Sequence, residues 1–380
     1  MTGSVSFWDG HGSAAAAYPW PTHTDATLEA DLLVVGLGAS GLAAVHEGVD
    51  RGLRVIGVDA GTVAGGAAGR NAGFALAGLA EFHHDVVAKW GRERAVAAYR
   101  LTLAELDAME ADPASTFRRV GSLRVAASAG ELDDCRAHLA ALARDGFPGD
   151  WYAGIEGEGV LLPADGVVDP LARARSMADA AAGRGARLFE RTAWPACVDD
   201  GRVRAATTVL AIDGLLDRVV PEVADRVRTT RLQVLATAPV DPPGRPRYPR
   251  PVYRRYGYDY WQQLPTGEIV LGGCRDRFEG DEWDAPSAEA TDDVQACLDR
   301  LLREVVLAHR DEPPVVTHRW AGLVAYTDDR LPVIEEVRPG VVACGAYSGT
   351  GNVVGVLAGR AAVALAVDGA SPVADLLAGR

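Results

Sequence analysis

The sequence lacks the marks of several protein classes. Its five cysteines are scattered and include no CxxC pair, so we expect most of them to be free thiols, and neither a disulfide framework nor a zinc site. No stretch is long and apolar enough to span a bilayer. Residues 1–27 lack the basic start and apolar core of a secretory signal. These absences favour a cytoplasmic protein. The cysteines are Cys135, Cys197, Cys274, Cys297 and Cys344.

Basic residues are fewer than acidic ones, with 38 Lys and Arg against 52 Asp and Glu, so the formal net charge is −14. A surface this negative repels phosphate backbones and anionic lipids, so we expect neither a nucleic acid nor a membrane as a partner. The length of 380 residues exceeds what one compact core usually holds, and we therefore expect two interlocked domains. Neither composition nor charge indicates an oligomeric state.

A complete strand–turn–helix–strand unit opens the chain. Residues 31–35 and 54–58 are short apolar runs typical of buried strands, and residues 42–50 between them have helical spacing. The whole unit has about the length of a βαβ motif. Its turn reads Gly36-Leu37-Gly38-Ala39-Ser40-Gly41, and its second strand ends at Asp59.

Each glycine of this turn has a physical role in binding a dinucleotide. Gly36 permits a sharp turn, Gly38 lets a pyrophosphate approach the backbone, and Gly41 lets the helix pack close to the strand. The N–H groups at the helix start hold phosphate. Asp59 can accept hydrogen bonds from both ribose hydroxyls and would repel a 2′-phosphate. This unit by itself does not separate NAD from FAD.

Three further segments carry a resemblance that does. They are the loop 64–73 (AGGAAGRNAG), the segment 165–192, and a C-terminal series at 320–324 (WAGLV), 328–332 (DDRLP) and 345–351 (GAYSGTG). In this order they resemble the D-amino-acid-oxidase superfamily of FAD-dependent oxidoreductases. The likeness is greatest to the branch that holds gamma-glutamylputrescine oxidoreductases and the glycine and sarcosine oxidases.

The resemblance implies a fold and a reaction. The fold is mixed α/β, with a Rossmann-like FAD-binding domain interleaved with an α+β substrate domain built on an antiparallel sheet. We expect a lead segment at 1–28, an FAD-binding domain at 29–85, 155–230 and 327–380, and a substrate domain at 86–154 and 231–326. The implied reaction is hydride transfer from the C–N bond of an amine or amino acid to flavin N5. The imine is then hydrolysed, and molecular oxygen reoxidises the flavin.

The family motifs also assign residues to the cofactor. Small residues at 348–352 are expected to open the last helix, with N–H groups facing the electron-rich end of the flavin. Arg70 and Asn71 are expected to donate near the ring system. The expected FAD-binding residues are Gly36, Gly38, Ala39, Ser40, Gly41, Asp59, Ala60, Gly66, Ala67, Ala68, Arg70, Asn71, Ala72, Gly73, Trp194, Ala211, Gly214, Gly345, Ser348, Gly349, Thr350, Gly351, Asn352 and Val353.

Three positions depart from the family pattern. Val324 and Ala325 stand where amino-acid oxidases place an arginine for the substrate carboxylate, which favours an amine or an acid held from elsewhere. Substitute arginines are Arg254, Arg275, Arg277 and Arg330. No cysteine lies between Gly322 and Arg330, so we expect non-covalent FAD. Thr350 replaces the usual histidine.

A run of aromatic residues supplies the candidate substrate site. The pattern predicts one strand over 252–264, in which Tyr256, Tyr258 and Tyr260 share a face. In the family, the matching sheet faces the flavin, and a tyrosine wall would hold an amine by cation–π attraction. The alternative is that these rings simply fill the core. Tyr326 and Tyr347 are weaker candidates by the same argument.

Other functions remain open from the sequence. A dehydrogenase of the same fold would pass electrons to a carrier or partner subunit and not to oxygen. A flavin-binding subunit of a complex would have no activity of its own. Hairpin pairing of 252–264 with 268–272 is predicted through a turn at 265–267, and helices are predicted at 81–110, 291–309 and 348–367.

Overall fold

A computed structural model describes residues 5–11, 20–22, 27–312 and 314–379. It contains two compact units. The eight-stranded unit comprises Asn71–Asp169, Thr230–Gly322 and the described residues up to His11. The six-stranded unit comprises the described residues from Trp20 to Arg70, then Pro170–Thr229, and the described residues from Leu323 onwards.

The elements are numbered in chain order. The strands are β1 (Leu28–Val35), β2 (Val55–Val58), β3 (Phe74–Ala75), β4 (Ser122–Val125), β5 (Asp150–Gly154), β6 (Gly157–Leu162), β7 (Gly166–Val167), β8 (Arg187–Phe189), β9 (Val203–Ala211), β10 (Val227–Thr237), β11 (Val252–Arg254), β12 (Asp259–Gln263), β13 (Ile269–Gly273), β14 (Val316–Thr327), β15 (Val333–Arg338) and β16 (Val341–Gly345). The α-helices are α1 (Ala39–Asp50), α2 (Ala67–Arg70), α3 (His83–Trp90), α4 (Arg92–Ala111), α5 (Ala129–Asp145), α6 (Pro170–Gly183), α7 (Ala196–Asp199), α8 (Leu216–Val219), α9 (Glu279–Glu282), α10 (Asp292–Leu301), α11 (Val354–Asp368) and α12 (Pro372–Ala378).

The six-stranded unit confirms the predicted βαβ motif. Its sheet has the order β15-β16-β9-β1-β2-β8, in which β16, β9, β1, β2 and β8 run parallel to one another and β15 is antiparallel to β16. Apolar runs form these strands because both faces are buried. One face packs on a core that includes Leu33, Ile56 and Leu210. On the other, α1 packs against α11, where a Cβ at Gly359 would lie 2.0 Å from the carbonyl oxygen of Ser40.

The eight-stranded unit has a mostly antiparallel sheet of order β14-β10-β13-β12-β11-β4-β6-β5. Its strands alternate, so that one face carries Leu123, Trp261 and Leu271 into a core shared with α10. The other face carries the residues between them, since successive side chains of a strand point to opposite sides. The predicted hairpin of β12 and β13 is confirmed, with Gln263 opposite Ile269.

Residues 71–85 and 155–169, which the sequence analysis placed in the FAD-binding domain, belong to the eight-stranded unit. The reason is a small ribbon in which β3 pairs with β7, Phe74 opposite Val167. The N–H of Val168 also donates to the carbonyl of Gly73 at 2.8 Å. The assignment of one unit to FAD and the other to substrate stays a prediction.

The single strand over 252–264 is a wrong prediction. The structure has β11 and β12, an antiparallel pair with Val252 opposite Trp261. Arg255, Tyr256 and Gly257 have φ of 54°, 57° and 87°. Three successive left-handed residues reverse the chain, so the aromatic run is a hairpin and not a continuous strand.

Three predicted helices end or begin elsewhere. Gly91, with φ 80° and ψ 151°, divides the predicted helix 81–110 into α3 and α4. The helix predicted over 291–309 is α10 followed by a π-helical turn, Leu302–Val306. The last long helix, α11, begins at Val354 and not at Ser348, because residues 346–353 form turns.

The expectation of free thiols is wrong for one pair. Cys274 and Cys297 form a disulfide with their Cα atoms 6.3 Å apart, whereas Cys135, Cys197 and Cys344 are free and buried. The pair is 23 residues apart in sequence, and only the packing of α10 on the sheet brings it together. No sequence spacing signals such a contact.

The lead segment is described only in part, and Tyr18 and Pro19 lie outside the described residues. Phe7–Gly10 form a 3₁₀ turn, and the Trp8 side chain is 1% exposed, so this part is buried and not merely a surface covering. Within the described residues, no helix combines the length and apolarity that crossing a membrane requires.

Candidate functional site

The parallel strands of the six-stranded unit bring several predicted residues to one edge. β1, β2, β9 and β16 are parallel, so their carboxyl ends lie at the same edge of the sheet. The chain goes from β1 to β2 on one side, while β9 and β16 lie on the other. Such a reversal of strand order opens a crevice where nucleotides bind in α/β folds.

The turn after β1 requires glycine at two positions. Gly36 has φ +91°, and a Cβ there would lie 2.4 Å from the carbonyl oxygen of Ala211 at the end of β9. A Cβ at Gly41 would lie 1.8 Å from the carbonyl oxygen of Gly36. These clashes involve backbone atoms, which cannot rotate away. The turn and α1 therefore keep their close approach only with glycine.

The N-terminus of α1 is an anion site in its geometry. Gly38 is the N-cap and offers no side chain to the first turn, which contains Ala39, Ser40 and Gly41. The first N–H groups of an α-helix have no partner within the helix and carry partial positive charge. Among the described residues other than its chain neighbours, a Cβ built on Gly38 would meet the Ala68 methyl at 3.3 Å and no other atom within 4 Å. A phosphate can therefore approach this backbone.

Asp59 lies at the end of β2, as predicted. Its Oδ2 accepts the N–H of Leu37 at 2.8 Å, and its Oδ1 accepts the N–H of Gly61 at 2.7 Å. Burial raises the pKa of Asp59, and the two N–H groups act against this rise. Each carboxylate oxygen has a second lone pair, so Asp59 can fix the glycine turn and still accept from ribose.

The loop after β2 carries the predicted Ala60, Gly66, Ala67, Ala68 and Arg70. Its last four residues form α2. Sequence analysis missed Glu190, whose Oε1 accepts the N–H of Val63 at 2.8 Å and so ties this loop to the end of β8. The available signal was a carboxylate directly after the strand-like run 187–189. Burial raises the pKa of Glu190.

Asn71, Ala72 and Gly73 continue the loop in the eight-stranded unit. The Oδ1 of Asn71 accepts the N–H of Gly73 at 2.8 Å, and its backbone oxygen accepts the indole N–H of Trp8 at 2.8 Å. The carbonyl of Ala72 accepts the Nε2 hydrogen of Gln262. These bonds fix the backbone of the motif.

The loop after β16 is held in an unusual conformation. Ala346, Ser348 and Gly349 have φ of 56°, 51° and 88°, which is costly for residues other than glycine and is typical of functional loops. Asp213 accepts the N–H of Tyr347 at 3.1 Å and also those of Ala325 and Ala346. Burial raises the pKa of Asp213 to about 6.

This loop leaves polar atoms for a ligand. Ser348 is buried, and among the described residues its hydroxyl has no hydrogen-bond partner. The Thr350 hydroxyl is already used, because it donates to the carbonyl of Tyr347 at 2.7 Å. The expected cofactor residues Gly345, Gly351, Asn352 and Val353 flank this stretch, and the Asn352 carbonyl accepts from Arg173 at 2.9 Å.

The remaining cofactor predictions lie at separate places. Ala211 ends β9 beside Gly36. Gly214 follows closely, and its absent side chain leaves room for the carbonyl of Leu323, which a Cβ would approach to 2.0 Å. Trp194 packs on the core under the guanidinium of Arg338 in β15, 5.5 Å from the ring centre. In this sheet β15 is one edge strand, and β8, which precedes Trp194 in the chain, is the other.

The three tyrosines do not share a face. Tyr256 is in the hairpin turn, 54% exposed, and its hydroxyl donates to Asp134 at 2.8 Å. Tyr258 also lies in the turn, with Arg275 above its ring at 4.8 Å. Only Tyr260 lies in a strand. The shared-face prediction is therefore wrong, because the chain reverses between Tyr256 and Tyr260.

Tyr260 belongs instead to a row across neighbouring strands. Tyr253 of β11 is opposite both Tyr260 of β12 and Arg124 of β4. Residues in such register lie on one face. The Tyr260 ring covers Gly272 of β13, where a Cβ would lie 2.3 Å from it. Sequence analysis missed Arg124 and Tyr253, although Leu123 and Val125 alternate with Arg124 in a strand pattern.

Tyr326 and Tyr347 are in the six-stranded unit. Tyr347 is 4% exposed, its ring lies 3.2 Å from the position of a Cβ on Gly355, and burial raises its pKa well above the ordinary value. It therefore packs α11 against the loop. Tyr326 is also buried, with Arg330 above its ring at 5.1 Å.

The four arginines considered as replacements for the family's carboxylate-binding arginine all have partners. Arg254 is 3.7 Å from Asp259, Arg275 covers the Tyr258 and Trp283 rings, Arg277 donates to the sulfur of Cys297, and Arg330 covers Tyr326.

Known proteins match nearly the whole chain. Residues 31–365 match the family model described as FAD dependent oxidoreductase (DAO). A protein of Rhizobium meliloti (strain 1021), described as probable oxidoreductase OrdL, is 26% identical over 387 residues, which cover 92% of this chain and 85% of that protein.

Solved structures share the fold. Glycine oxidase from Geobacillus kaustophilus aligns with a TM-score of 0.69 and 19% identity over 93% of this chain and 99% of its own. L-proline dehydrogenase from P. horikoshii aligns with a TM-score of 0.69 and 16% identity over 92% of this chain and 96% of its own. At these identities the likeness establishes the mixed α/β architecture, which confirms the predicted fold class.

Proposed function

Because the chain belongs to the DAO family of FAD-dependent oxidoreductases, we propose that it oxidises a C–N bond of an amine or amino acid. The observation that supports FAD as the cofactor is the N-terminus of α1. It has no side-chain cap, its turn packs closely at Gly36 and Gly41, and Asp59 accepts a hydrogen bond from the same turn. Its N–H groups would hold the pyrophosphate, and Asp59 would accept from the ribose.

The loop after β16 fits the flavin end of the cofactor. FAD, when bound, supplies the hydride acceptor for the reaction. The unpaired hydroxyl of Ser348 and the N–H groups of Gly349 and Thr350 would face the ring edge that becomes negative on reduction. Asp213 holds this loop in place through three backbone N–H groups. Arg70 would add positive charge near the same ring.

The proposed substrate face is the row of Tyr253 and Tyr260. Their rings offer π faces that attract an amine, with a strength of roughly 0.5–2 kcal/mol. The role of the chain's own residues here is to orient the C–N bond, and positioning of this kind contributes a large part of many rate enhancements. A neutral amine needs no base from the protein.

We propose that the FAD is non-covalent. Of the five cysteines, two form the disulfide and three are buried. Cys344 precedes the flavin loop, but burial raises its pKa to about 12, and a thiol that stays protonated is a poor nucleophile. Acid precipitation of the purified holoenzyme should leave the flavin in the supernatant. A yellow pellet would show covalent attachment.

The function is tested by an absorption spectrum before and after anaerobic addition of amines and amino acids, glycine and proline among them. We expect flavin bands, and bleaching by at least one compound. A protein that neither contains nor takes up FAD would contradict the cofactor assignment. A flavin that no compound bleaches would indicate a subunit that depends on a partner.

The electron acceptor is decided by a second measurement. After bleaching, admission of air should restore the spectrum and form peroxide if the protein is an oxidase. If the spectrum recovers only with an artificial electron carrier, the protein is a dehydrogenase, as is its structural neighbour L-proline dehydrogenase from P. horikoshii.

A further inference from the structure

The eight-stranded unit contains a small cavity apart from the cofactor motifs. It lies among the loop around residues 77–86, helices α4 and α5 and strand β4. The polar residues that line it are Glu81, His83, Tyr99, Arg124 and His138. Two of them present buried hydrogen-bond donors that have no acceptor among the described residues.

His138 is the first of these. It is 3% exposed, and its Nδ1 accepts the backbone N–H of His83 at 2.9 Å. In the neutral ring, an accepting Nδ1 requires the hydrogen to be on Nε2. Burial and the nearby charge of Arg124 lower the pKa of His138 well below its ordinary value, which keeps the ring neutral. Its Nε2 hydrogen has no partner among the described residues.

Arg124 is the second. Its guanidinium lies over the rings of Phe82 and Tyr253, at 5.2 and 5.9 Å. Its Nε is buried without an acceptor. Within the described part of the chain, no carboxylate lies within ion-pair distance of it, although its charge is near enough to Asp165 to act against the rise of that carboxyl's pKa. A buried donor without a partner is costly to a fold, so a group is expected to satisfy it.

The neighbouring carboxylates are already engaged. Asp145 pairs with His83 at 2.7 Å and with Arg92 at 2.5 Å. Asp165 accepts from the N–H of Ala77 at 2.7 Å and the Ser122 hydroxyl at 2.6 Å. Glu81 pairs with Lys89. The cavity therefore carries the guanidinium of Arg124, which forms no ion pair among the described residues, beside the neutral Nε2 donor of His138.

We propose that this cavity binds a carboxylate group, with Arg124 as the charged partner and His138 Nε2 as a further donor. Carboxylates suit the planar guanidinium and accept several hydrogen bonds at once.

The carboxylate has two sources with the same chemistry. Arg124 shares its sheet face with Tyr253 and Tyr260, so the group is either the acid end of the substrate or a free small acid. The first source rests on the proposed function, and the second does not. Binding itself is therefore tested without any reference to activity.

The test follows thermal unfolding of the purified full-length protein in a chloride-free buffer, with sodium formate replacing sodium methanesulfonate at constant ionic strength. We expect formate to raise the midpoint in a saturable way. Arg124→Gln should weaken the apparent affinity about tenfold or more. Arg136→Gln is the matched control, because Arg136 lies on the exposed side of α5 and pairs with Asp133; it should bind formate as the wild type does. Absence of a saturable effect in the wild type would overturn the proposal.

A second measurement does not depend on whether the variant folds. In wild-type protein labelled with ¹⁵N-histidine, formate should shift one slowly exchanging imidazole N–H signal, and methanesulfonate should not. If no imidazole signal moves, His138 does not contact the anion and the proposal fails.

The source is then assigned with a substrate pair. An amino acid and the amine that lacks only its carboxylate are compared in wild-type protein and Arg124→Gln. If Arg124→Gln raises the KM for the amino acid but not for the amine, and formate competes with the amino acid, the site belongs to the substrate. If the KM of each compound is the same in Arg124→Gln and in the wild type, and the wild type still binds formate, the site belongs to a free acid.

Discussion

The two units build their candidate sites from different materials. In the six-stranded unit the site consists mainly of backbone: glycines whose missing side chains admit neighbouring carbonyls, and helix N–H groups without partners. In the eight-stranded unit the site consists of side chains from strands far apart in sequence, such as Arg124, Tyr253 and Tyr260. A backbone site tolerates almost no added atoms, whereas a side-chain site degrades gradually.

The largest effect is expected at Gly41. Gly41→Ala would place a methyl group 1.8 Å from the carbonyl oxygen of Gly36. We expect a loss of about 3 kcal/mol or more in unfolding free energy, and little bound FAD. Gly183→Ala, at the end of α6, is the control, because a Cβ there meets nothing within 4 Å. Denaturant unfolding and the ratio of flavin to protein measure both. Equal behaviour of the two variants would contradict the described turn.

Two buried carboxyl groups, one in each unit, allow the pH dependence of stability to be compared between the units. Burial raises the pKa of Asp165 from 3.8 to about 6. Between these values the unfolded chain has lost the proton that the folded protein keeps, so stability falls as pH rises. The expected loss is about 3 kcal/mol, complete above pH 6 and absent below the ordinary pKa. In Asp165→Asn the amide oxygen can accept the N–H of Ala77 and the amide NH2 can donate to the Ser122 hydroxyl, so the variant should lack this slope.

Asp213 has a similar pKa of about 6, but it accepts three backbone N–H groups. Asparagine has one acceptor oxygen, so Asp213→Asn should be less stable than Asp165→Asn at every pH, and its FAD affinity should fall as the flavin loop relaxes. Urea unfolding of both variants from pH 4 to pH 8 makes the comparison. Identical curves would show that the three N–H bonds do not matter.

A smaller effect is expected at Asp59. Asp59→Asn replaces a charged acceptor that serves Leu37, Gly61 and the proposed ribose contact. Hydrogen bonds to charged groups contribute about 1.5–3 kcal/mol, so FAD should bind roughly 10–100-fold more weakly. Asp31→Asn, at an exposed pair with Arg54, should leave affinity unchanged. Titration of the apoprotein with FAD, followed by flavin fluorescence, measures the affinity. If Asp59→Asn binds FAD as tightly as the wild type does, Asp59 is not part of the cofactor site.

The smallest effect is expected on the side-chain site. Tyr260→Leu removes one π face from the proposed substrate row, and kcat/KM for the amine should fall roughly 2–30-fold. Tyr256→Leu changes an exposed turn residue and should have wild-type kinetics. Steady-state rates of both variants test the assignment. It is wrong if Tyr256→Leu loses more activity than Tyr260→Leu.

The difference between the units also explains which predictions were right. The βαβ motif was predictable because Gly36, Gly38 and Gly41 are neighbours in sequence and the βαβ geometry is local. The tyrosine wall was not predictable because the left-handed residues Arg255 and Tyr256 have no sequence signature for such a turn. The flavin loop was placed correctly after its strand, but α11 begins at Val354, since Ala346 and Ser348 take up left-handed conformations that only Asp213 and the surrounding packing support.

By itself, the sequence determined the family, the nucleotide-type turn and the fold class, because each depends on residue types at fixed short spacings. The tertiary structure decided which arginine meets which tyrosine, that Cys274 and Cys297 pair, and that His138 and Arg124 line one cavity with unpaired donors. These contacts depend on strand order and helix packing, which bring together residues many positions apart.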